Sequence, residues 1–552
     1  MNKAKPLTGT VTSAELCTPV PQVQIVRRNA NGKILEETRS NDHGEWKLRQ
    51  MIPGDEISFH AENFVPKTFR HPPLPQVVRL LENRLIGYQE RLSFLPGETI
   101  DVYVHAPTPY SAQVFRHGFL KEQVLALGMF KPHCQHIPDG YFVETGLNWD
   151  KSFSYTLPAD AKPGLYSVLL TSEQQEPFGI PLIVSTPEHA YGNTSRLLVL
   201  ASTNTWQSYN LWGGRSRYRN FEETRSAEFL KPPPAVSRAR KFASKVLPAS
   251  VKPKLKRLLR LPPPPPPAPW QFKKLTIRRP FTNCALEEDH VFQPFTNHLA
   301  AAEWRLLAWL EREGVPYDIV SGFDLHCNPD LLKHYNAVIL STHSEYWTRE
   351  MYAGLQQYHD HHGLWVLNIS GNTLYREIEL FEEGSSRCVS LSFANSCADE
   401  TQMLGVRFTM DDYGTCAPYK ISRPDHWVFE QIPLSQDNIF GGLSLNQPTP
   451  KKYSRYDPGR PGVERGLEGM GASGWETDKL SATAPKDITV LAKGLNKHGG
   501  ADMVIREPHG TRGGMFSASS LVFSGSLLID NVASSLVKNI LARALQTGHA
   551  CK

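Results

Sequence analysis

Acidic, basic and aromatic side chains follow directly after an apolar run at residues 337–347. The stretch AVILSTHSEYW begins as a buried strand would and then presents His343, Glu345, Tyr346 and Trp347. Histidine and glutamate can move protons, and a metal ion can displace the proton of a tyrosine phenol and bind the phenolate. The composition of this strand end therefore indicates a place where chemistry occurs.

Two other apolar runs end in the same way. RLLVLAS (196–202) continues into TNTWQSYNLWGG, and LWVLNIS (364–370) continues into GNTLYRE. The aromatic and amide residues that follow these runs are Tyr209, Asn210, Trp212, Asn372 and Tyr375. In open α/β sheets the ligand crevice lies outside the carboxyl ends of the strands. We therefore predict a small-molecule site here, with Tyr209, Asn210 and Trp212 as substrate-binding residues.

The same strand ends lack the signatures of several reaction classes. The nucleophile elbow of glutamine amidotransferases would fall at ISGNT, which has Ser370 but no cysteine, and NISGN is not a G-x-S-x-G motif. ASTNTW lacks the glycines of a phosphate-binding or dinucleotide-binding turn. A metal site is the remaining option, because two phenolates and a carboxylate are hard oxygen ligands that suit ferric iron better than zinc. From the residues alone, aromatic packing around a cleft is the alternative.

Alternation of strand and helix patterns predicts how these residues are held. The runs YDIVSG (317–322) and NAVILST (336–342) are also near-continuous apolar segments, which is typical of strands covered on both faces. Amphipathic helical patterns lie between the runs, as in AAEWRLLAWLEREG (301–314) and REMYAGLQQYHDHHG, and NVASSLVKNILARALQ forms a last one. We predict an α/β domain over residues 191–552, with an open, mostly parallel sheet of the glutamine-amidotransferase-like or flavodoxin-like kind.

Two all-β modules are predicted before this domain. Residues 1–85 contain short strands with frequent alternation, separated by Gly-containing turns. Their order resembles the transthyretin-like regulatory domain of carboxypeptidases, which implies a β-sandwich without a catalytic role, and we place Trp46 and Phe59 in its core. Residues 86–190 have the strand spacing of a second β-sandwich. That module groups no acids, bases and nucleophiles, so we interpret it as scaffold.

The charge of the chain is distributed unevenly. The formal net charge is +5, but residues 231–260 carry ten Lys and Arg and no acid, so the remaining residues sum to about −5. This balance does not favour a nucleic-acid partner. Six consecutive prolines follow the basic tract, and we treat residues 231–269 as an extended insert. It is a candidate docking segment for a partner or a membrane surface, with a solvated loop as the alternative.

Cysteine usage and hydropathy suggest the compartment. The eight cysteines form no CxxC pair, so neither a zinc knuckle nor a disulfide framework is expected. The N-terminal residues lack the apolar core of a signal peptide, and no run approaches the roughly 20 apolar residues of a membrane span. We expect a cytoplasmic protein without a transmembrane segment, and the sequence leaves open whether it forms a homo-oligomer.

The strand-end motifs resemble the large subunit family of N,N-dimethylformamidase. The matching pieces are TWQSYNLWGGRSRY, IRRPF, WLEREGVPYDIVSGFDLH, HSEYW, GNTLYRE, GWETD and GGMFSASSLVFSGSL, which span about residues 190–545 in the order of the family. This resemblance implies hydrolysis of a small amide at a mononuclear iron that is held by two tyrosines and a glutamate. By motif, the ligands would be Tyr346, Tyr375 and Glu476.

The resemblance also implies roles for neighbouring residues and leaves two function classes. His343 or Glu345 would move protons, and Asn372 would help to orient the amide. The chain departs from the family pattern at Arg376, where an aromatic residue is usual, and at Ser473-Gly474-Trp475, where we expect a histidine before the glutamate. A metal-dependent amidohydrolase or related hydrolase, with iron as the metal that the resemblance implies, is one class. The alternative is a non-catalytic binding or assembly protein, for example in surface-polysaccharide or envelope processes. Whether a separate small subunit is required stays open.

Overall fold

The structure is a computed structural model. It describes residues 6–49, 52–70, 74–221, 269–281, 300–382, 384–390, 399–442, 444–445 and 471–546. Within these ranges the chain forms eight β-sheets and contains more strand than helix. The insert predicted at 231–269 lies outside the described residues, apart from its last residue. In the described part, no helix is long and apolar enough to cross a membrane.

The first seven strands form two small sheets around one apolar core. They are β1 (Leu7–Ser13), β2 (Gln24–Arg28), β3 (Ile34–Arg39), β4 (Glu45–Leu48), β5 (Glu56–His60), β6 (Lys67–Phe69) and β7 (Val77–Leu80). The sheet orders are β4-β1-β7 and β3-β2-β5-β6. Trp46 and Phe59 meet edge to face in the core with ring centroids 5.4 Å apart, which confirms their predicted burial.

The next eight strands enclose a second core. They are β8 (Ile86–Gln89), β9 (Ser93–Phe94), β10 (Thr99–His105), β11 (Tyr110–His117), β12 (Lys121–Phe130), β13 (Phe153–Thr156), β14 (Gly164–Ser172) and β15 (Gln175–Val184). Their sheets have the orders β13-β10-β8 and β12-β11-β14-β15-β9. Inward positions alternate along β10 and β11, because successive side chains of a strand point to opposite faces. The division of the chain at residues 85 and 190 stays a prediction.

A nine-stranded sheet forms the largest region. Its strands are β16 (Leu197–Ala201), β17 (Asp318–Ser321), β18 (Ala337–Thr342), β20 (Trp365–Ser370), β25 (Tyr419–Ile421), β26 (Ile439–Phe440), β29 (Ile488–Gly494), β30 (Asp502–Arg506) and β31 (Met515–Ser517). The order is β17-β16-β18-β20-β31-β30-β29-β25-β26. The first five strands are mutually parallel, and the last four extend the sheet in antiparallel fashion.

This sheet agrees with the prediction in one half and corrects it in the other. The four near-continuous apolar runs form adjacent parallel strands, as predicted. The sheet is mixed rather than mostly parallel, because the chain between β20 and β31 adds antiparallel strands. These are short or have partly exposed positions, so they lack the continuous apolar signal of the central strands.

Smaller sheets and helices complete this region. The short strands are β19 (Tyr346–Trp347), β21 (Arg376–Glu382), β22 (Ser385–Ser390), β23 (Val406–Thr409), β24 (Cys416–Ala417), β27 (Ser473–Gly474) and β28 (Thr477–Leu480). In the described part of the chain, the α-helices are α1 (Phe142–Thr145), α2 (Thr203–Tyr209), α3 (Ala300–Arg312), α4 (Gly322–Cys327), α5 (Arg349–His362), α6 (Glu400–Leu404) and α7 (Asn531–Gln546). Short 3-10 turns lie at Glu188–Ala190, Pro269–Phe272, Pro329–His334, Trp427–Phe429 and Phe523–Ser526.

Helices cover both faces of the parallel strands. Helices α3 and α7 pack on one face, against Val199, Ile339 and Leu367, and helix α5 packs on the other, against Leu198, Val338 and Val366. The two sets alternate along each strand, which explains why the runs are apolar throughout. Because both faces are largely apolar, most polar side chains of the parallel strands lie toward their carboxyl ends.

Candidate active site at the carboxyl ends of the parallel strands

Backbone strain marks the loops at these strand ends. Left-handed backbone conformations occur at Thr342 (φ 45°), Asn372 (φ 55°), Leu374 (φ 56°), Trp475 (φ 62°) and Ser519 (φ 60°). Such conformations are unfavourable for residues other than glycine, and most of all for a β-branched residue such as Thr342. They persist where the surroundings determine them, and they are concentrated at functional sites. The clustering supports a site that holds its side chains in fixed directions.

His343 lies at the centre of a polar cluster. Its Nδ1 is 3.0 Å from the carbonyl oxygen of Gly371, so Nδ1 carries a proton and donates it there. Its Nε2 lies 3.3 Å from Glu345 and 3.6 Å from Glu476. Burial alone would lower the pKa of His343, but the carboxylates of Glu476 and Glu345 raise it above its usual value. The imidazole is therefore placed between two acids and oriented by a backbone carbonyl.

Glu345 is completely buried and held by several donors. The Nε of Arg376 donates to it at 2.9 Å, the hydroxyl of Tyr209 donates at 3.0 Å, and the hydroxyl of Tyr218 also donates. Burial alone would raise the pKa of Glu345, but its contact with His343 and the charge of Arg376 lower it below its usual value. Glu345 is thus an anion in the cluster, and it fixes the side chains around it.

Glu476 reaches the cluster from the chain segment between β27 and β28. The side-chain amide of Asn372 donates to its carboxylate at 2.8 Å, and the backbone N–H of Asn372 donates to Asp478 at 2.8 Å. Gly371 permits this contact, because a Cβ there would lie 2.6 Å from the carbonyl oxygen of Glu476. Burial raises the pKa of Glu476, and it raises the pKa of Asp478 to about 7. Asn372 therefore joins two motifs that are about 100 residues apart.

Tyr346 presents a buried phenol to the same cluster. The side chain is 2% exposed, and its hydroxyl makes no hydrogen bond to the described residues, although the ring of Tyr218 lies 6.5 Å away. A buried polar atom without a partner is uncommon in a folded protein. Burial and the charge of Glu345 raise the pKa of Tyr346 well above its usual value. The orphaned hydroxyl is consistent with a ligand or metal position.

Tyr375 lies at the edge of the cluster, directly before β21. Strand β19 pairs with β21 so that the partner of Tyr346 is Arg376. Tyr375 packs against this arginine, whose guanidinium lies over the tyrosine ring at 5.4 Å. Its ring meets Phe408 at 5.7 Å, and the side chain is half-buried. The structure thus places Tyr375 beside Arg376 at the edge of the cluster, and its role as a metal ligand stays a prediction.

The predicted substrate-binding residues separate into two groups. Tyr209 belongs to the cluster, with its hydroxyl 3.1 Å from Nε2 of His343. Asn210 instead donates to the carbonyl oxygen of Pro280 at 3.0 Å, and Trp212 is completely buried against Phe142. Asn210 and Trp212 thus hold the loop after α2 in place, and Tyr209 is the member of this group that reaches the site.

Two site residues, Tyr218 and Arg376, were not assigned roles from the sequence. Tyr218 is the last residue of the motif TWQSYNLWGGRSRY, and Arg376 was noted only as a departure from the family pattern. Arg217 keeps Tyr218 in place, because its guanidinium donates to the carbonyl oxygens of Gln271 at 3.0 Å and Ser386 at 2.5 Å. Both residues belong to motifs that the sequence already singled out. No local pattern, however, indicates that the loop that carries Tyr218 folds back onto β18.

The donor set fits the predicted iron only in part. Tyr346 and Glu476 offer hard oxygen donors in one buried cluster, and the orphaned hydroxyl supports a ligand role for Tyr346. Tyr375 is half-buried and lies under the guanidinium of Arg376 at the edge of this cluster. Two of the three ligands implied by the resemblance thus lie in the cluster, and the ligand role of Tyr375 stays a prediction.

Comparison with known families agrees with this architecture. The family model described as N,N-dimethylformamidase beta subunit-like, C-terminal, matches residues 111–534, which is well over half of the chain. The chain belongs to this family. The matched part includes strands β12 to β15 and most of β11 of the second β-sandwich, the nine-stranded sheet and each residue of the cluster. This confirms the resemblance that the strand-end motifs indicated.

Two curated relatives carry the name N,N-dimethylformamidase beta subunit. The protein from Paracoccus aminophilus is 25% identical over 451 residues, which cover 72% of this chain and 54% of the relative. The protein from Alcaligenes sp. is 24% identical over 465 residues, which cover 74% of this chain and 56% of the relative. The chain thus spans about half the length of the curated relatives that it matches.

Solved structures add no argument about the fold. A ThuA-like protein from Bacteroides uniformis has 13% sequence identity and a TM-score of 0.28, and the match covers 46% of this chain and 86% of that chain. A match to E. coli alpha-2-macroglobulin has a TM-score of 0.14. Similarity at these scores is too low to support a conclusion.

Proposed function

We propose that this protein is a dimethylformamidase-like hydrolase that cleaves the C–N bond of a small amide. The observation that carries the proposal is His343, which lies between the carboxylates of Glu345 and Glu476 at 3.3 and 3.6 Å, at the carboxyl end of a parallel strand. Membership of the family supports the same reaction class. The activity of the curated relatives comes to this chain as a proposal, because the match covers about half of each.

His343 acts first as a base and then as an acid. Its Nδ1 is bonded to the carbonyl oxygen of Gly371, so Nε2 is the atom that takes a proton from water as the water oxygen attacks the amide carbon. Glu345 stabilises the imidazolium that results and keeps the ring oriented. His343 then returns the proton to the leaving nitrogen as the C–N bond breaks, which gives a carboxylic acid and an amine.

Asn372 orients the reacting groups. Its Nδ2 donates to Glu476, while its Oδ1 is buried and makes no hydrogen bond to the described residues. An acceptor in this position can bind the attacking water or an amide N–H. The backbone of Asn372 adopts φ 55°, and its N–H donates a hydrogen bond to Asp478. These two constraints fix the orientation of the Asn372 side chain.

Iron, the finer fold class and the compartment are further parts of this proposal. Tyr346 and Glu476 would hold the iron, with Tyr375, the third ligand of the resemblance, at the edge of the cluster beside Arg376. The five parallel strands lie in the order 2-1-3-4-5 along the chain, which supports a flavodoxin-like, doubly wound core. A cytoplasmic location and a docking role for residues 231–269 are proposed from the sequence alone.

Amine release from small amides tests the function. Wild-type protein, expressed with added iron, is incubated with N,N-dimethylformamide and other short amides, and amine and carboxylate products are measured. Glu345→Gln should lower kcat/KM by roughly 10²- to 10⁴-fold, because the imidazolium loses its anionic partner. Glu379→Gln on β21 is the matched control, since Glu379 is exposed and pairs with Arg387 at the surface.

Two results would count against the proposal. One is a wild-type protein that releases no amine from any amide of the series. The other is an activity that Glu345→Gln leaves at the level of the Glu379→Gln control. Either result would favour the alternative, a binding or assembly protein that uses the same cleft without chemistry.

A further inference from the structure

Arg376 is held as a rigid, flat group at the edge of the cluster. Its guanidinium lies over the ring of Tyr218 at 5.1 Å and over the ring of Tyr375 at 5.4 Å. Its Nε donates to Glu345 at 2.9 Å and to the hydroxyl of Tyr218 at 3.3 Å. Two aromatic rings and a buried carboxylate therefore fix the plane and the direction of this side chain.

The opposite edge of the same guanidinium is available. Neither terminal nitrogen of Arg376 makes a hydrogen bond to the described residues, and the side chain is 15% exposed. A guanidinium has five N–H donors, and the two terminal nitrogens form a fork that matches the two oxygens of a carboxylate. The Nε atom of Arg376 thus bonds to the protein, and the two terminal nitrogens remain able to bind a ligand.

Two other arginines of this region, Arg217 and Arg279, are buried without a carboxylate partner among the described residues. Arg217 is 3% exposed, and its hydrogen bonds go to backbone carbonyl oxygens and to the hydroxyl of Ser386. Arg279 is completely buried and bonds to the carbonyl oxygens of Asn210, Trp212, Arg215 and Thr276. Carbonyl oxygens satisfy the donors of a guanidinium but do not neutralise its charge. Because Arg217 is close enough to interact with the charge of Arg376, it partly offsets the carboxylates of Glu345 and Glu476 for an anion bound at the open edge of Arg376.

We propose that Arg376 determines specificity by binding a carboxylate of the substrate, so that this site prefers small amides that carry a negative charge beside the scissile C–N bond. The inference rests on the proposed function, because it names the substrate class of that site. A structural role, in which Arg376 only neutralises Glu345, is the competing explanation. That role would use the Nε edge and give no preference between charged and neutral amides.

A matched series of formamides separates the two explanations. N-formylsarcosine is N,N-dimethylformamide with a carboxylate on one methyl group, and its methyl ester has similar size without the charge. In each case water adds to the formyl carbon, the C–N bond breaks, and the nitrogen takes up the proton, giving formate and a secondary amine. Wild-type kcat/KM should be higher for N-formylsarcosine than for either neutral amide by about tenfold to a hundredfold, the ratio expected from one charge-assisted contact.

Substitution of Arg376 tests the assignment. Arg376→Lys keeps a positive charge beside Glu345 but removes the fork, and Arg376→Gln removes both. The preference for N-formylsarcosine should fall about tenfold in Arg376→Lys and disappear in Arg376→Gln. Arg387→Gln on β22 is the matched control, because Arg387 is 51% exposed and pairs with Glu379 at the surface. Thermal unfolding of each variant shows whether it folds.

Calorimetric binding of N-formylsarcosine distinguishes a failure of this inference from a failure of the proposed function. Binding by the wild type but not by Arg376→Gln supports the carboxylate contact, even if no amide is hydrolysed. Equal kcat/KM for charged and neutral amides overturns the inference and leaves hydrolysis intact. The wild-type comparison needs no variant, so it decides the question even if Arg376→Gln does not fold.

Discussion

Buried histidines occur in both the second β-sandwich and the strand-end cluster, and their surroundings are opposite. In the sandwich, His105 bonds to the carbonyl oxygen of Glu82 and to the backbone N–H of Gln135, and His117 bonds to the hydroxyl of Ser167. Burial lowers the pKa of His105 to about 4 and that of His117 to about 3. In the cluster, two carboxylates raise the pKa of His343.

The difference shows what separates a core histidine from a reactive one. Burial disfavours the charged form in every case, so a histidine satisfied by neutral groups stays neutral and contributes to packing. A buried histidine can be protonated only if anions lie beside it, and these anions must then be buried as well. The cluster therefore contains Glu345, Glu476 and Arg376 in addition to His343, together with strained backbone that fixes them.

Matched substitutions of two histidines should give opposite effects. His343→Gln should lower kcat/KM for amide hydrolysis by roughly 10²- to 10⁴-fold, because it removes the group that carries the proton. His117→Gln should leave kcat unchanged and lower the unfolding temperature, because His117 is buried in the sandwich and lies outside the cluster. Steady-state kinetics and thermal unfolding are measured on both variants. Loss of activity in His117→Gln, or full activity in His343→Gln, would contradict the distinction between the two regions.

The sandwich should lose stability in mild acid. His105 binds a proton in the unfolded chain below its ordinary pKa of about 6.5, whereas the folded protein resists protonation until about pH 4. The free energy of unfolding should therefore fall as the pH decreases from about 6.5 to 4, by up to about 3 kcal/mol from this residue. Urea unfolding at pH 7 and pH 5 measures the effect.

A variant of His105 checks the source of this pH dependence. His105→Gln can keep both backbone contacts without a titrating group, so its stability should change less between pH 7 and pH 5 than that of the wild type. An unchanged pH dependence in His105→Gln would show that other groups cause the acid lability.

Iron affinity should depend more on the buried phenol of Tyr346 than on the half-buried phenol of Tyr375. Tyr346→Phe and Glu476→Gln should each weaken iron binding at least about tenfold, because each removes an oxygen donor of the cluster. Tyr375→Phe should weaken iron binding less, since this ring is half-buried and packs against Phe408 and the guanidinium of Arg376. Iron content after purification and the visible phenolate band measure the effect. An equal loss in all three variants would restore the ligand set that the resemblance implies.

The sequence by itself determined the central strands, their flanking helices and the position of the site. β18 and β20 are apolar on both faces, and such runs can be placed without knowledge of their partners. Helix α5 could be placed in the same way, since its apolar stripe ends at Gly363, which adopts the left-handed conformation typical of a helix end. The rule that ligands bind at the carboxyl ends of parallel strands then located His343 and Glu345.

Only the tertiary structure decided which side chains meet. The pairing of Tyr346 with Arg376 depends on the register of two short strands, and a shift of one residue would exchange Arg376 for Tyr375. Tyr218 reaches Glu345 because the loop after α2 folds back over β18, a contact between residues 127 positions apart. Local periodicity carries no information about register or loop closure, since both are set by packing of distant segments. For that physical reason the motifs located the site, and the fold selected its members.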